Sequence, residues 1–391
     1  MKKVLIASTA LVAATMFSAG AASASEKIKL NLGGFSKWWV VGQWQENKFQ
    51  NATQSDYNNV DVKGDNEVYF GGSTTLDNGL QVGIDIQLEA GGHTDQTSDT
   101  IDESYVFIGG GFGKVLIGSK NNGTYLIHNT APDAAGNWNE GGILSGGYAL
   151  VKPTSVSTIT PGNGGGNTTA ILTDDDSEGL TYVSPTFYGL TFGASYKPNT
   201  SQDNRNTTDL HSVVGSNVLG AGVLYANTFG GVGVKADFGA ATYQVEAVPA
   251  NFSGLGNGSA IPSATFGKSK VNEYSTGLNL SYAGFTLGGS YRQVVAAESL
   301  NALDGKAWDI GLQYASGPYA VSAAYFNSKV EGFGGNGDDQ IDIYQVSGKY
   351  TLGAGVDALA SVGYAKYQDE AKTASGENKG WVAMTGLSLS F

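Results

Sequence analysis

Few residues in this 391-residue chain have chemistry to offer, and none is arranged for catalysis. The three histidines, His93, His128 and His211, fall in separate loops or at a strand start, without the His-Glu helix pattern that would hold zinc. There is no Gly-x-Ser-x-Gly elbow and no phosphate loop. Gly332-Phe333-Gly334-Gly335-Asn336-Gly337 matches the dinucleotide glycine spacing by letter, but no amphipathic helix follows, so it reads as a flexible surface loop. With no cysteine, disulfides and thiolate metal or redox chemistry are excluded. Asp174-Asp175-Asp176 could offer hard oxygen ligands to a divalent cation, yet no regular ligand spacing supports it. A solvated charge run and no cofactor are the simpler expectation. The one catalytic arrangement left open is a serine and a histidine brought together across strands.

What remains is charge. The formal charge of -13 and the presence of only two arginines, Arg205 and Arg292, exclude a nucleic-acid binder, which needs clustered cations to displace counterions. On a soluble protein an acidic surplus is self-repulsion; along a passage it becomes a filter for ions.

The elements that would carry these charges alternate with a period of two. At the end of the chain Trp381, Ala383, Thr385, Leu387, Leu389 and Phe391 share one face, and Val382, Met384, Gly386, Ser388 and Ser390 the other. Such a strand suits a wall with lipid on one side and water on the other. Glu67 to Leu76 and Leu80 to Ala90 repeat the pattern around Asp77-Asn78-Gly79, and Asn-Gly between alternating runs is a strong hairpin signal. About sixteen such runs occur, an even number within the range of outer-membrane barrels. The connections alternate too: short turns at one end, and at the other longer polar loops such as Asn47 to Asn66, Gly91 to Ile101 and Pro198 to His211. Aromatics beside the short turns, Phe112, Phe187, Tyr188, Phe229, Tyr282, Phe285, Tyr319, Tyr350 and Phe391 among them, predict an interfacial girdle.

The first 24 residues read as a cleaved signal peptide: Lys2 and Lys3, an apolar run from Val4 to Phe17, then Ala22-Ser23-Ala24. An apolar run of about 14 residues is too short for a membrane-spanning helix. Residues 25–391 then form one exported barrel domain.

The connection from Lys120 to Gly179 is far longer than an ordinary loop. Its first half carries Tyr125, Trp138 and Tyr148 with Asp133 and Glu140, a mixture that can pack against a polar wall. Its second half, Pro153 to Asp176, is rich in Gly, Thr, Ser and Asn and reads as mobile and exposed.

Three motifs carry a resemblance: Gly111-Phe112-Gly113-Lys114-Val115 running to Gly118; Tyr182-Val183-Ser184-Pro185-Thr186-Phe187-Tyr188-Gly189-Leu190; and Phe192-Gly193-Ala194-Ser195-Tyr196, with the closing Phe391. In this order the chain resembles the Gram-negative trimeric general-diffusion porins of the alphaproteobacterial type. The resemblance implies a sixteen-stranded antiparallel transmembrane β-barrel with short periplasmic turns, long external loops and a third loop folded inward. It implies a homotrimer in the outer membrane, in contact with lipid or lipopolysaccharide, passing ions and small hydrophilic solutes. By the same resemblance Asp133 and Glu140 are the loop acids of the constriction, and Lys37, Lys120 and Arg292 are candidate basic partners on the wall. Arg292 shares a face with Thr286, Gly288 and Ser290 and is expected to look into water. A constriction with few cations and many acids favours cations, and the terminal aromatic Phe391 is implied as an assembly signal. The alternatives are a solute-specific channel, a non-conducting adhesin or structural barrel, and an outer-membrane hydrolase.

Overall fold

The computed structural model describes residues 27–90, 101–136, 138, 144, 147, 149–159, 167–200, 215–245, 269–296, 304–332 and 337–391. The leader at residues 1–24 and the loop acid Glu140 lie outside these residues. The strands are β1 (Asn31–Trp44), β2 (Val60–Thr75), β3 (Gln81–Glu89), β4 (Ser104–Gly110), β5 (Gly113–Ser119), β6 (Glu178–Val183), β7 (Leu190–Asn199) and β8 (Ser216–Phe229). They continue as β9 (Val232–Val245), β10 (Ser269–Tyr282), β11 (Phe285–Ala296), β12 (Gly305–Ser316), β13 (Tyr319–Glu331), β14 (Asp338–Gly353), β15 (Val356–Gln368) and β16 (Glu377–Ser390). Every strand pairs antiparallel with its sequence neighbours and β16 returns to β1, closing a sixteen-stranded barrel. Closure leaves no unpaired edge, the condition for crossing lipid with strands. No helix among the described residues is long and apolar enough to cross a membrane.

The alternation sorts the residues as expected. On β16 Trp381, Leu387 and Leu389 face out and are exposed, whereas Val382 and Met384 face in and are buried. Phe391 extends the last pairing: its N–H donates to the Gly34 carbonyl, and the Gly34 N–H to its carbonyl, both at 3.1 Å. In the first hairpin Gly79 takes a φ of 82°, and the Asn78 side chain accepts the Leu80 N–H at 3.1 Å.

Aromatics gather at the short-turn rim, with Phe285 against Tyr314 at 4.5 Å and Tyr319 against Tyr350 at 4.8 Å between ring centres. A second outward row, which the alternation alone does not announce, runs across five strands nearer the long-loop rim. It comprises Trp308, Tyr325, Tyr344, Tyr364 and Trp381, with neighbouring rings 4.6–6.5 Å apart. Two aromatic rows bracketing an apolar band are what a bilayer selects.

Two elements differ from the sequence reading. β2 begins at Val60, inside the stretch Asn47 to Asn66 expected to be loop. There the inward positions Asp61, Lys63 and Asp65 are all charged, which gives a strand the composition of a loop. The same stretch also holds a short helix, α1 (Asn47–Thr53), closed by Gln54 in the left-handed region and by burial of Phe49.

The apolar core sits inside the barrel. Trp39, Val41, Phe326, Ile341, Ile343, Tyr367, Val382 and Met384 point inward and pack against Trp138, Leu144, Leu150, Val156 and Ile159 of the long third loop. Burying a side chain of this size is worth roughly 1.5–3 kcal/mol, so this contact gives the loop a fixed place.

Candidate pore constriction

The described parts of the third loop trace a hoop around the inner wall. The loop leaves β5 and turns inward at Asn122, whose Oδ1 accepts the N–H groups of Thr124 and Tyr125 at 2.9 Å each. Asn122 Nδ2 donates to Ile171 O at 2.8 Å and Asp174 Oδ1 at 2.6 Å, tying the outgoing leg to the returning one. On β7 the Gly123 N–H donates to Ser195 Oγ at 2.6 Å. On β9 Asp237 meets His128 Nδ1 and accepts both the backbone and side-chain N–H of Asn129, each contact being 2.8 Å. The Ala131 N–H then reaches the Asp309 carboxylate of β12 at 3.2 Å, and the Ala134 N–H reaches Ser322 Oγ of β13 at 2.9 Å. Trp138 meets Phe326 edge-on at 6.3 Å.

The loop goes on past β14 and β15 to β16 and β1, where Asn378 Nδ2 donates to Val151 O at 2.7 Å and Gln45 Oε1 accepts the Val151 N–H at 3.3 Å. The way back is higher on the wall. Ser155 Oγ donates to Asp369 at 3.0 Å, the Ser157 N–H to Asp339 at 2.8 Å, and Thr169 pairs with Ser290 at 2.6 Å. Thr173 Oγ1 donates to Glu273, and Lys197 Nζ closes the hoop by donating to the carbonyls of Ser177 and Lys120. Hydrogen bonds to charged groups contribute about 1.5–3 kcal/mol each, so wall carboxylates hold this loop.

Glycines let the loop lie flat. A Cβ at Gly193 would meet Gly123 O at 2.1 Å, one at Gly277 would meet Asn129 O at 2.0 Å, and one at Gly363 would meet Leu144 at 2.4 Å. Gly277→Ala is expected to destabilise the protein by about 1–3 kcal/mol, as overpacking does, and to change the single-channel conductance. Gly111→Ala, which opens onto free space in a short turn, is the matched control. Equal thermal unfolding and conductance in the two variants would refute the close-approach argument.

The sequence-derived residues end in different places. Lys37 Nζ reaches the loop, donating to Gly136 O at 3.4 Å. Asp133 is held against the wall by Ser322 Oγ and Gln345 Nε2, both at 3.1 Å. Lys120 turns to Glu103 at 2.5 Å rather than to a loop acid. Arg292 faces inward but does not look into water: it is fully buried, with Nη2 2.6 Å from Glu273 Oε2 and 3.1 Å from Thr173 Oγ1. The loop covers it. Asp174 and Asp176 are buried as well, contrary to the exposed, mobile run expected there. Burial raises the Asp174 carboxyl to about 6, against the pull of Lys197 and Asn122, and lowers Lys152 to about 8.

The hoop leaves the arc β2 to β5 of the wall uncovered among the described residues. This arc carries Asp65, Glu67, Asp85 and Glu89 on inward, half-exposed positions, with Asp102 and Glu103 at the mouth of β4. Carboxylate oxygens of Glu67, Glu89 and Asp102 lie within 4.8 Å of one another. Lys63 is paired with Asp61 at 2.6 Å, and Lys114 sits over the Phe107 ring at 4.4 Å. Sequence reasoning passed over these acids; the signal was there in Asp85, Gln87 and Glu89 alternating with Ile84, Ile86 and Leu88.

Comparison with known proteins agrees with this architecture. The family profile described as Gram-negative porin matches residues 7–370. No curated protein matches the sequence. OmpT, an outer membrane protein of Vibrio cholerae, superposes with a TM-score of 0.59 at 13% identity, covering 95% of this chain and 99% of its own. The outer membrane channel DcaP of Acinetobacter baumannii gives 0.59 at 13% identity, over 93% of this chain and 97% of its own. Salmonella typhi OmpF gives 0.55 at 15% identity, over 93% and 98%. At these identities the structures attest the fold, and the sequence profile attests the descent. A closed sixteen-stranded barrel with its third loop laid against the inner wall, matched along nearly its whole length by that profile, belongs to the Gram-negative porin family and is an outer-membrane channel.

Proposed function

We propose that this porin is a general-diffusion channel for ions and small hydrophilic solutes with a preference for cations. The observation that supports the preference is the acid surplus on the uncovered arc β2 to β5, which begins beside Lys37, the register partner of Asp65 and the donor to Gly136 O of the loop. Asp133 and Glu140 are kept as candidates for the loop side of the constriction, with Lys37 as the cation nearest to it. Lys120 and Arg292 are assigned to holding the loop and the wall together. Export through a cleaved leader at residues 1–24 and assembly as a homotrimer belong to the same reading. So does recognition of the exposed Phe391 by assembly machinery, and its ring lies beside Gly34 at the short-turn rim.

Purified protein in a planar bilayer under a salt gradient tests the proposal. Stepwise conductance with a reversal potential of cation sign is expected; an anion-signed potential would refute the preference. A second reading, a solute-specific channel, is favoured by the inward aromatics beside the acids: Phe35 meets Tyr69 edge-on at 6.3 Å, and Tyr105 lies next to Asp85 in the register. Rings and carboxylates together suit organic ammonium ions. A conductance that saturates with such a solute would favour this second reading, and a linear one the first.

A further inference from the structure

Four inward positions stand side by side on one register row of the wall: Asp237 on β9, Gly277 on β10, Ser290 on β11 and Asp309 on β12. The third loop crosses this row twice, with His128 on its outgoing leg and Thr169 on its returning leg. The His128 side chain, 2% exposed, joins the two crossings. Its Nδ1 is 2.8 Å from Asp237 Oδ1, and its Nε2 is 3.3 Å from Thr169 Oγ1. Carboxylate, imidazole and hydroxyl in that order are the parts of a hydrolase, but here the protons run the other way.

Their direction follows from counting hydrogens. The Asp309 carboxylate, which also accepts the Ala131 N–H at 3.2 Å, takes the single hydroxyl proton of Ser290 across 2.6 Å. Thr169 and Ser290 lie 2.6 Å apart as well, so the proton in that contact is the one on Thr169. With its own proton given to Ser290, Thr169 Oγ1 accepts from His128, and Nε2 carries hydrogen. At the other end Asp237 accepts the backbone and side-chain N–H groups of Asn129 on Oδ2, both at 2.8 Å, as an ionised carboxylate does. Nδ1 therefore carries hydrogen too. A ring that donates from both nitrogens is an imidazolium.

We infer that His128 is a buried imidazolium that fastens both legs of the third loop to the wall, and that loss of its proton releases the returning leg from β11. The neutral ring has one acceptor nitrogen. Turned to Asp237, that nitrogen sets lone pair against lone pair; turned to Thr169, it draws the hydroxyl proton away from Ser290. The second costs one hydrogen bond, the link between the returning leg and β11. The other charges around the row are Lys235, exposed two residues from Asp237 on β9, and Glu273 of β10 with Arg292 of β11, paired with each other at 2.6 Å. On the loop, Asp133 is held by Ser322 and Gln345, and Asp174 by Asn122. Raising the pH removes the ring proton, whereas acid acts on the carboxylates of Asp237 and Asp309, so the loop is fastened between these two limits.

The test uses the full-length protein with nitrogen-labelled histidine in detergent micelles, and reads the ring N–H groups by NMR from about pH 6 to about pH 10. His93→Gln and His211→Gln assign the His128 signals without touching the latch. Two N–H nitrogens on His128 are expected at about pH 7, giving way to one as the pH rises. In planar bilayers the open-channel current should grow noisier over the same interval, with time in the loosened state rising roughly three- to tenfold, the equilibrium worth of one hydrogen bond. Thr169→Val removes the acceptor of Nε2; it should move the loss of the second proton to lower pH and bring the noise in at about pH 7. His128→Gln, which offers one donor and one acceptor as the neutral ring does, should show a noise level that no longer follows pH. A single N–H on the His128 ring at about pH 7 would overturn the inference, and that reading needs no variant of the latch to fold. A wild-type noise level that stays flat while the ring loses its proton would overturn the release of the loop, and an equal rise in His128→Gln would assign the effect to other groups and overturn the role of His128.

Discussion

Neutralising the wall acids Glu67, Asp85 and Glu89 together, to Gln, Asn and Gln, is expected to lower the cation-over-anion permeability ratio about tenfold near 0.1 M salt. A unit charge about 7 Å from an ion in water is worth roughly 0.6 kcal/mol, with opposite sign for cations and anions, and screening at a Debye length of about 10 Å removes part of it. Three such charges acting along one arc accumulate to an effect of that size. Raising the salt should shrink the difference between wild type and variant, because the acids face water. By contrast Asp133→Asn should shift the reversal potential less, since that carboxylate is drawn to Ser322 and Gln345. If Asp133→Asn alone abolished selectivity and the triple variant left it intact, the filter would lie on the loop and not on the wall.

Replacing Arg292 by methionine should destabilise the barrel by about 3–5 kcal/mol, the usual cost of leaving one member of a buried ion pair without the other. Glu273 would be left fully buried beside Thr173 without its cationic partner. The second substitution matters more for the argument. Arg292→Met combined with Glu273→Leu removes both charges and should recover most of the lost stability, since well-packed apolar replacements of buried pairs are often neutral. Thermal unfolding of both single variants and the double variant gives the coupling energy directly. Because Thr173 belongs to the returning leg of the loop, Arg292→Met should also broaden the distribution of single-channel conductances. A double variant no more stable than the singles would mean that the pair does not act as a unit.

The barrel was legible because alternation repeats over sixteen runs, and one misplaced boundary does not change the count. β2 shows the limit: Val60 and Val62 are exposed on the outer face, but the inward charges Asp61, Lys63 and Asp65 alongside them imitate a loop. The constriction was legible only in part. The alternation assigned Arg292 to the inner face correctly, yet a face is not an exposure, and nothing local says that a segment more than a hundred residues away will lie over it. Composition misled at Asp174 to Asp176 for a related reason. Thr168 and Thr169 look like solvent-exposed residues, but beside a polar wall the same hydroxyls are buried with their hydrogen bonds met inside the barrel. A clue to that cover was present in Ile341, Ile343, Val382 and Met384, apolar residues on positions that water would have claimed.

The glycine bed beneath the third loop has a consequence for the electrical behaviour of the pore. Where side chains line an opening, its bore changes as rotamers exchange on the picosecond-to-nanosecond scale. Here the loop rests on the wall backbone to backbone at Gly193 and Gly277, so its stand-off from the wall depends on main-chain atoms that have no rotamers to exchange. The open state should therefore carry a quiet current, and excess noise should appear when a substitution restores a side chain to the bed.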